Sequence, residues 1–262
     1  MSAPDIAVKK LSKLELKGVM GNDRKIIREV YERLLAFYGP QGWWPVTPPG
    51  GRSPVYSGGP TNASQRLEVM IGAVLTQNTS WNGARKALEN LSSQNGLDFQ
   101  SLLEIPEEKL GLFIRPSGYF NQKARRIKNL ILFLYESYGA DWERFFAEPV
   151  SQMRRMLLGL YGIGPETADS IILYAAGRVS FVIDSYTKRI FYRLGITRGD
   201  IPYEELKQRF EKVLPAESEL YNEYHALVVI HGKERCTARE PKCECCPLEQ
   251  ICVRRGINRL SC

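Results

Sequence analysis

Two groups of residues in this chain have the types and spacing that chemistry requires. The first lies in Leu157–Arg193, LLGLYGIGPETADSIILYAAGRVSFVIDSYTKRIFYR. A tight glycine turn, Leu160-Tyr161-Gly162-Ile163-Gly164, separates two helical patterns, and Pro165 opens the second, where its missing N–H goes unused. Such a turn leaves backbone N–H groups at a helix N-terminus, and the aligned peptide dipoles there favour an anion such as a phosphate. It can equally be a plain turn. Asp184 follows the apolar run Phe181-Val182-Ile183. Its carboxylate can act on a strand gripped by the turn, or it can cap the helical pattern that begins at Ser185 by accepting a backbone N–H.

The second group is the set of cysteines, at 236, 243, 245, 246, 252 and 262, all near the end of the chain. A disulfide framework scatters its cysteines, whereas in a reducing compartment such a cluster more often holds a metal. Structural zinc sites pair two short knuckles across a longer gap, and Cys236-x6-Cys243-x2-Cys246-x5-Cys252 contains only one. Four unevenly spaced thiolates suit a [4Fe-4S] cube, in which each iron takes one sulfur. Cys245 competes with Cys246 as third ligand, the spacing favours Cys246, and Cys262 is surplus.

These groups need a scaffold, and 262 residues supply enough chain for one large domain or two lobes. The excess of 36 Lys+Arg over 29 Asp+Glu gives a charge of +7 and favours a polyanionic partner. No apolar run approaches the roughly 20 residues that span a bilayer, and MSAPDIAVKK lacks the apolar core of a signal peptide. The expectation is a soluble cytoplasmic protein with no membrane partner, nucleoid-associated if prokaryotic.

Apolar residues recur at three and four from Asn22 to Tyr38, predicting an amphipathic helix. Trp43 and Trp44 follow, then a Gly-, Pro- and Ser-rich connection from Thr47 to Ser64. Paired tryptophans can anchor a core or, lining a pocket, stack on a nucleobase. Gln65–Leu91 reads as two helices broken near Thr76-Gln77-Asn78-Thr79, with Asn78 or Thr79 capping the second. Further helices are predicted over Phe99–Leu103, Glu107–Ile114, Gln122–Tyr138, Trp142–Phe146, Val150–Leu158, Tyr203–Leu214 and Glu219–Ile230. The basic run Lys123, Arg125, Arg126 and Lys128 is a solvated helix face or a phosphate contact. No alternating strand pattern and no fixed repeat is present, so the fold class is all-α.

The cysteine spacing, the glycine turn and Asp184 after an apolar run together resemble the helix-hairpin-helix DNA glycosylases of the endonuclease III superfamily, from about Ile26 to Cys252. That resemblance implies a two-lobed helix-hairpin-helix glycosylase fold. A six-helix lobe would cover 64–178, and a discontinuous lobe of 1–63 and 179–262 would carry the cluster loop. It implies double-stranded DNA with a damaged base as partner, a monomer, and Asp184 as the catalytic carboxylate. Gln77, Gly162, Gly164, Lys188 and Arg239 would touch DNA, and Cys236, Cys243, Cys246 and Cys252 would hold a structural cluster.

Members of the superfamily that also cut the strand carry a lysine two residues after the second hairpin glycine, and here that residue is Glu166, which cannot form a Schiff base. The adenine-mismatch members place a glutamate four residues before the glutamine of the inserting turn, and here that residue is Ala73. A substrate whose leaving base is already activated remains, and an alkylated purine is such a base. Trp43-Trp44-Pro45, Leu75–Thr79, Arg115–Lys123 and His231-Gly232-Lys233 resemble the 3-methyladenine DNA glycosylase branch, which implies a base pocket of Trp43, Trp44 and Trp81 with Glu166 and Lys233. That branch usually lacks the cysteine loop, and Tyr161 stands where a proline is usual. The alternatives are a glycosylase-lyase using Lys188 or Lys233, and a damage-binding protein without turnover.

Overall fold

The computed structural model describes residues 23–94 and 97–257. Helices dominate, and among the described residues no strand occurs; Val46 and Val55 form one isolated antiparallel bridge. Backbone packing divides the chain into two compact units. The first comprises Met1–Pro40, Ile183–Pro215 and Tyr224–Cys262, and the second Gln41–Val182 and Ala216–Glu223.

The second unit is built around α2 (Ala63–Leu75), in which every residue from Leu67 to Leu75 is buried. Asn62 starts it by accepting the Gln65 N–H at 3.0 Å. Around α2 pack α3 (Trp81–Ser93), α6 (Phe120–Tyr138), α8 (Pro165–Ser170) and a π-helical turn, Ile171–Ala175. The short α4 (Phe99–Glu104) and α5 (Glu107–Phe113) support α6, and α7 (Val150–Leu158) leads into the glycine turn. Ser80 caps α3, where the sequence favoured Asn78 or Thr79, because Asn78 has already turned to a left-handed φ of 50°.

The connection from Thr47 belongs to this unit, although the sequence placed the lobe boundary near residue 63. Glu68 fixes it by accepting from the Thr47 N–H (2.8 Å) and hydroxyl (2.7 Å), and Val46 bonds Val55 in both directions at 3.0 Å.

In the first unit a helix described from residue 23 to 38 (α1) buries Ile27, Val30 and Leu34 completely. It joins α9 (Ser185–Arg193), α10 (Tyr203–Val213) and the part of α11 (Ser218–Glu234) from Tyr224 onward. Phe191 meets Phe210 edge-on at 4.7 Å, Phe210 meets Tyr224 at 5.6 Å, and the Tyr224 hydroxyl donates to the Ile27 carbonyl. Each ring contributes about 1 kcal/mol beyond its buried area.

Candidate functional site

In the first unit Asp184 is the N-cap of α9. One carboxylate oxygen, Oδ1, accepts both the Thr187 N–H and the Thr187 hydroxyl at 2.7 Å. The other, Oδ2, faces His225 Nε2 at 3.6 Å. Burial pushes this carboxyl up, yet His225 and the Thr187 donors together outweigh it and hold it below the usual carboxylate range. An anion is thereby kept where an apolar setting alone would protonate it. Of the two roles available to Asp184 from the sequence, the cap is filled by Oδ1, and Oδ2 takes no part in it.

Nearby, the Tyr186 ring lies so tightly on Gly232 that a Cβ there would strike it. Lys233 follows; its side chain is exposed, but enough protein surrounds it that burial lowers its pKa, an effect opposed by the charge of Asp184. Lys188 is half-buried on α9, and Arg239 is exposed in the cysteine loop. His225 carried no local signal in the sequence, since the fold alone brings α11 to the N-terminus of α9.

The tryptophans lie in the second unit as an aromatic group. Trp44 is 5% exposed, packed against Trp43 (5.8 Å), Trp81 (6.1 Å) and Tyr174 (5.1 Å), with its indole against Gly72. It is the core anchor of the group and presents no open face. Trp43 and Trp81 are only partly buried, and Tyr56 stacks on Trp43 at 6.5 Å and 26°. Asn222 donates to the Trp43 carbonyl (2.9 Å), while Glu223 accepts the Gln41 N–H (2.8 Å). Tyr56 and Tyr174 are members that the sequence did not single out; one lies in a stretch read as a connection, the other in the helical pattern after the glycine turn.

Gln77, in the turn after α2, is folded onto the glycine turn. Its amide donates to the Gly162 carbonyl (3.0 Å) and the Thr167 hydroxyl (2.8 Å), and its oxygen accepts from Arg126 Nη1. Gly162 has φ +79° and lies against Arg126, so a side chain there would be both strained and obstructed. Gly164, at the N-cap of α8, opens onto unfilled space, and Glu166 is exposed in the first turn of that helix. Arg125 lies over the exposed Tyr161 ring at 5.0 Å.

The basic run is not a solvated face throughout. Lys123 is buried and donates to the Leu75 carbonyl (2.7 Å), the Thr79 hydroxyl (2.9 Å) and the Ser117 carbonyl (2.6 Å). Lys128 binds the Leu102, Leu103 and Ile105 carbonyls at the end of α4. A helical period cannot reveal this, because a long side chain can bend its charged end onto neighbouring carbonyls.

Cys236, Cys243, Cys246 and Cys252 line one cavity of the first unit, together with Arg193, Leu194 and His231, whereas Cys245 is exposed at φ +56°. This is the set of four that the spacing favours. Among the described residues no three or more His, Cys, Asp or Glu converge so as to hold a metal ion. Cys262 lies outside the described residues. The loop is clamped to α9: Arg193 donates to the Thr237 (2.7 Å) and Ala238 (3.0 Å) carbonyls and to Cys236 Sγ (3.2 Å), and Arg189 to the Cys236 carbonyl (2.9 Å). Burial raises the Cys246 and Cys252 thiols, so an apposed cation is what would make thiolates of them.

Among the described residues no helix is long and apolar enough to cross a membrane. Residues 71–216 match the profile of the HhH-GPD superfamily base excision DNA repair protein. The chain is 41% identical over 235 residues to “Putative DNA repair glycosylase MJ1434” of Methanocaldococcus jannaschii, covering 89% of this chain and 99% of that one. It is 26% identical over 191 residues to endonuclease III of Escherichia coli, covering 73% and 85%. A solved structure, Helicobacter pylori 3-methyladenine DNA glycosylase (MagIII) bound to 1,N6-ethenoadenine, superposes at a TM-score of 0.63 with 28% identity over 81% of this chain and 97% of that one. A non-covalent endonuclease III–DNA complex superposes at 0.70 with 23% identity, over 87% and 94%, a likeness of fold alone. The chain belongs to the HhH-GPD superfamily of base excision DNA repair proteins.

Proposed function

We propose that this base excision glycosylase is monofunctional and hydrolyses the glycosidic bond of an alkylated purine in duplex DNA. The observation that carries the reading is Asp184, a buried carboxylate kept ionised by its partners. As the bond to C1′ breaks, positive charge develops on the sugar, and this carboxylate would stabilise it while orienting or deprotonating the attacking water. Glu166 stands where strand-cutting relatives carry their nucleophilic lysine, so no Schiff base forms there.

An alkylated purine carries positive charge and departs without strong acid assistance, in keeping with Ala73 where another branch carries a glutamate. Once flipped, it would stack against Trp43 and Trp81, backed by Trp44, gaining about 1–2 kcal/mol of cation–π attraction. The 28% identity to a 3-methyladenine glycosylase captured with a purine adduct supports this substrate class. Gly162 and Gly164 would present N–H groups to a backbone phosphate, with Lys188 and Arg239 adding charge. Gln77 would leave Gly162 and Thr167 to fill the vacated stack.

Cys236, Cys243, Cys246 and Cys252 would hold a [4Fe-4S] cluster. The four line one cavity, which supports the reading, and the cluster, when bound, would supply the cationic charge that turns these thiols into thiolates. In this reading Arg235, Arg239 and Lys242 lie on a loop fixed against DNA. Iron content of about four per chain with a visible absorption band supports the assignment; stoichiometric zinc overturns it.

A panel of duplexes carrying alkylated, oxidised, deaminated and mismatched bases tests the whole reading. Base release confined to alkylated purines, with strand breaks only after alkali, is expected; release of another class, or nicking without alkali, overturns it. The lowered pKa of Lys233 favours one second reading, a lyase step through that amine, and borohydride trapping of a covalent DNA adduct separates the two.

A further inference from the structure

Asp184 has one oxygen fully engaged and the other turned toward a single side chain. Oδ1 takes two donors from Thr187, the arrangement of an ordinary N-cap. Oδ2 has a different neighbour, His225 Nε2 at 3.6 Å, and both side chains are more than nine-tenths buried. The chain has two histidines, and the other, His231, lies against Cys246 in the cysteine cavity.

We propose that His225 is the positioning residue for Asp184, fixing Oδ2 in one orientation and keeping it anionic so that the carboxylate meets the sugar and water already aligned. The proposal rests on the reading of Asp184 as the catalytic group.

An N-cap has no need of such a partner. Thr187 alone satisfies Oδ1, the oxygen that stabilises the helix, and it leaves the second oxygen buried and open to a proton. An imidazole there meets two demands together. Its ring N–H can point at Oδ2, and its flat edge leaves the remaining lone pair clear for water, where a bidentate guanidinium would occupy the carboxylate. At 3.6 Å the pair is longer than a hydrogen bond, as expected of a catalytic contact that tightens only when substrate is bound.

The fold supports this contact from outside it. Gly232 lets the Tyr186 ring sit on α11, and Arg189 Nη2 donates to the Gly232 carbonyl at 2.9 Å, so the start of α9 is pinned to α11. Tyr186 and Lys233 are the other titratable groups that feel the charge of Asp184. Thr187 contributes dipoles only.

Single-turnover base release from the alkylated duplex, followed from acid to alkaline pH, tests the proposal with His225→Leu, His225→Gln and Asp184→Asn. Asp184→Asn is expected to be inactive throughout. In His225→Leu the acid limb is expected to move up by about one to three pH units, so that release on that limb falls at least about tenfold while the alkaline plateau changes much less. His225→Gln keeps an N–H donor and is expected to hold the limb within about half a unit of the unsubstituted chain. Duplex affinity and melting temperature, read alongside, show whether folding is intact; if the leucine variant does not fold, His225→Asn, whose amide is too short to reach, replaces it. An unmoved acid limb beside an inactive Asp184→Asn overturns the role of His225 and leaves the reading of Asp184 standing. An active Asp184→Asn overturns that reading itself.

Discussion

Asp184 and Lys123 are both buried ionisable side chains near the start of a helix, and their surroundings drive them to opposite ends. Burial disfavours the charge of each. Around Asp184 the His225 ring and two Thr187 donors overcome that penalty, and the carboxyl stays below its usual range. Lys123 is pushed down to about 8 by burial and then by the cation Arg126 beside it, although three neutral oxygens accept its N–H groups. A charge is favoured where opposing groups face it, and is disfavoured, though still held at neutral pH, where a long side chain serves to tie neutral oxygens together. On the proposed reading of Asp184 the first charge is put to use, whereas the second serves as a strut.

The sharpest way to break that contrast is to remove each charge without removing the shape. Asp184→Asn keeps an oxygen for the Thr187 N–H and so keeps the helix cap, with stability expected to change by no more than about 1 kcal/mol. Base release is expected to fall at least about a thousandfold, while the damaged duplex is still bound. Near-normal release by a folded variant would return Asp184 to a purely structural role.

Lys123→Met is expected to invert that result. It strips the donor from the Leu75 and Ser117 carbonyls and the Thr79 hydroxyl, which should cost about 2–4 kcal/mol of stability in denaturant titrations. The pH dependence has a definite sign. Between about 8 and the unfolded lysine value near 10.4, the unfolded chain holds a proton that the folded chain has lost, so stability from this site rises with pH. The gap between the unsubstituted chain and Lys123→Met should therefore widen across that window and stay flat below it. A gap that is constant with pH would mean that Lys123 is not buried as a cation.

The same contrast marks what the sequence could convey. Helices were legible from apolar spacing, since burying one face of a helix needs contact every third or fourth residue, and α1, α5 and α7 fall close to the stretches that spacing predicted. The cap at Asp184 and the left-handed turn at Gly162 were legible because few residue types can fill those positions. What stayed hidden were partners distant in the chain. His225, Tyr174 and Arg126 are ordinary letters in helical patterns, and only the tertiary fold makes them neighbours of Asp184, Trp44 and Gln77. Lys123 was misleading for a related reason: a lysine in a basic run reads as solvated until its acceptors are known.

The aromatic group should show a smaller effect than either charge. Trp43→Ala removes a partly exposed indole and, on the proposed reading, should weaken binding of the damaged duplex by about tenfold, consistent with about 1–3 kcal/mol per stacked base. Trp44→Ala, at a fully packed position, should instead cost about 3–5 kcal/mol of folding stability. If Trp43→Ala lost stability and kept affinity, the two tryptophans would share one role as core anchors.

The smallest expected effect separates two uses of positive charge beside the glycine turn. Arg126 donates to the Gln77 oxygen, its Nε is buried with no hydrogen-bond partner among the described residues, and its stem fills the space that a Gly162 side chain would need. It is therefore placed to hold the turn, as Lys123 is, more than to meet a phosphate. Arg126→Ala should weaken duplex binding by about threefold to tenfold through a loosened Gln77, yet leave the slope of affinity against salt unchanged, because no counterion release is lost. Arg125, spread over the exposed Tyr161 ring, has the opposite placement, and Arg125→Ala should lower that slope by about one. Equal slopes for the two variants would dissolve the distinction between strut and contact in the second unit.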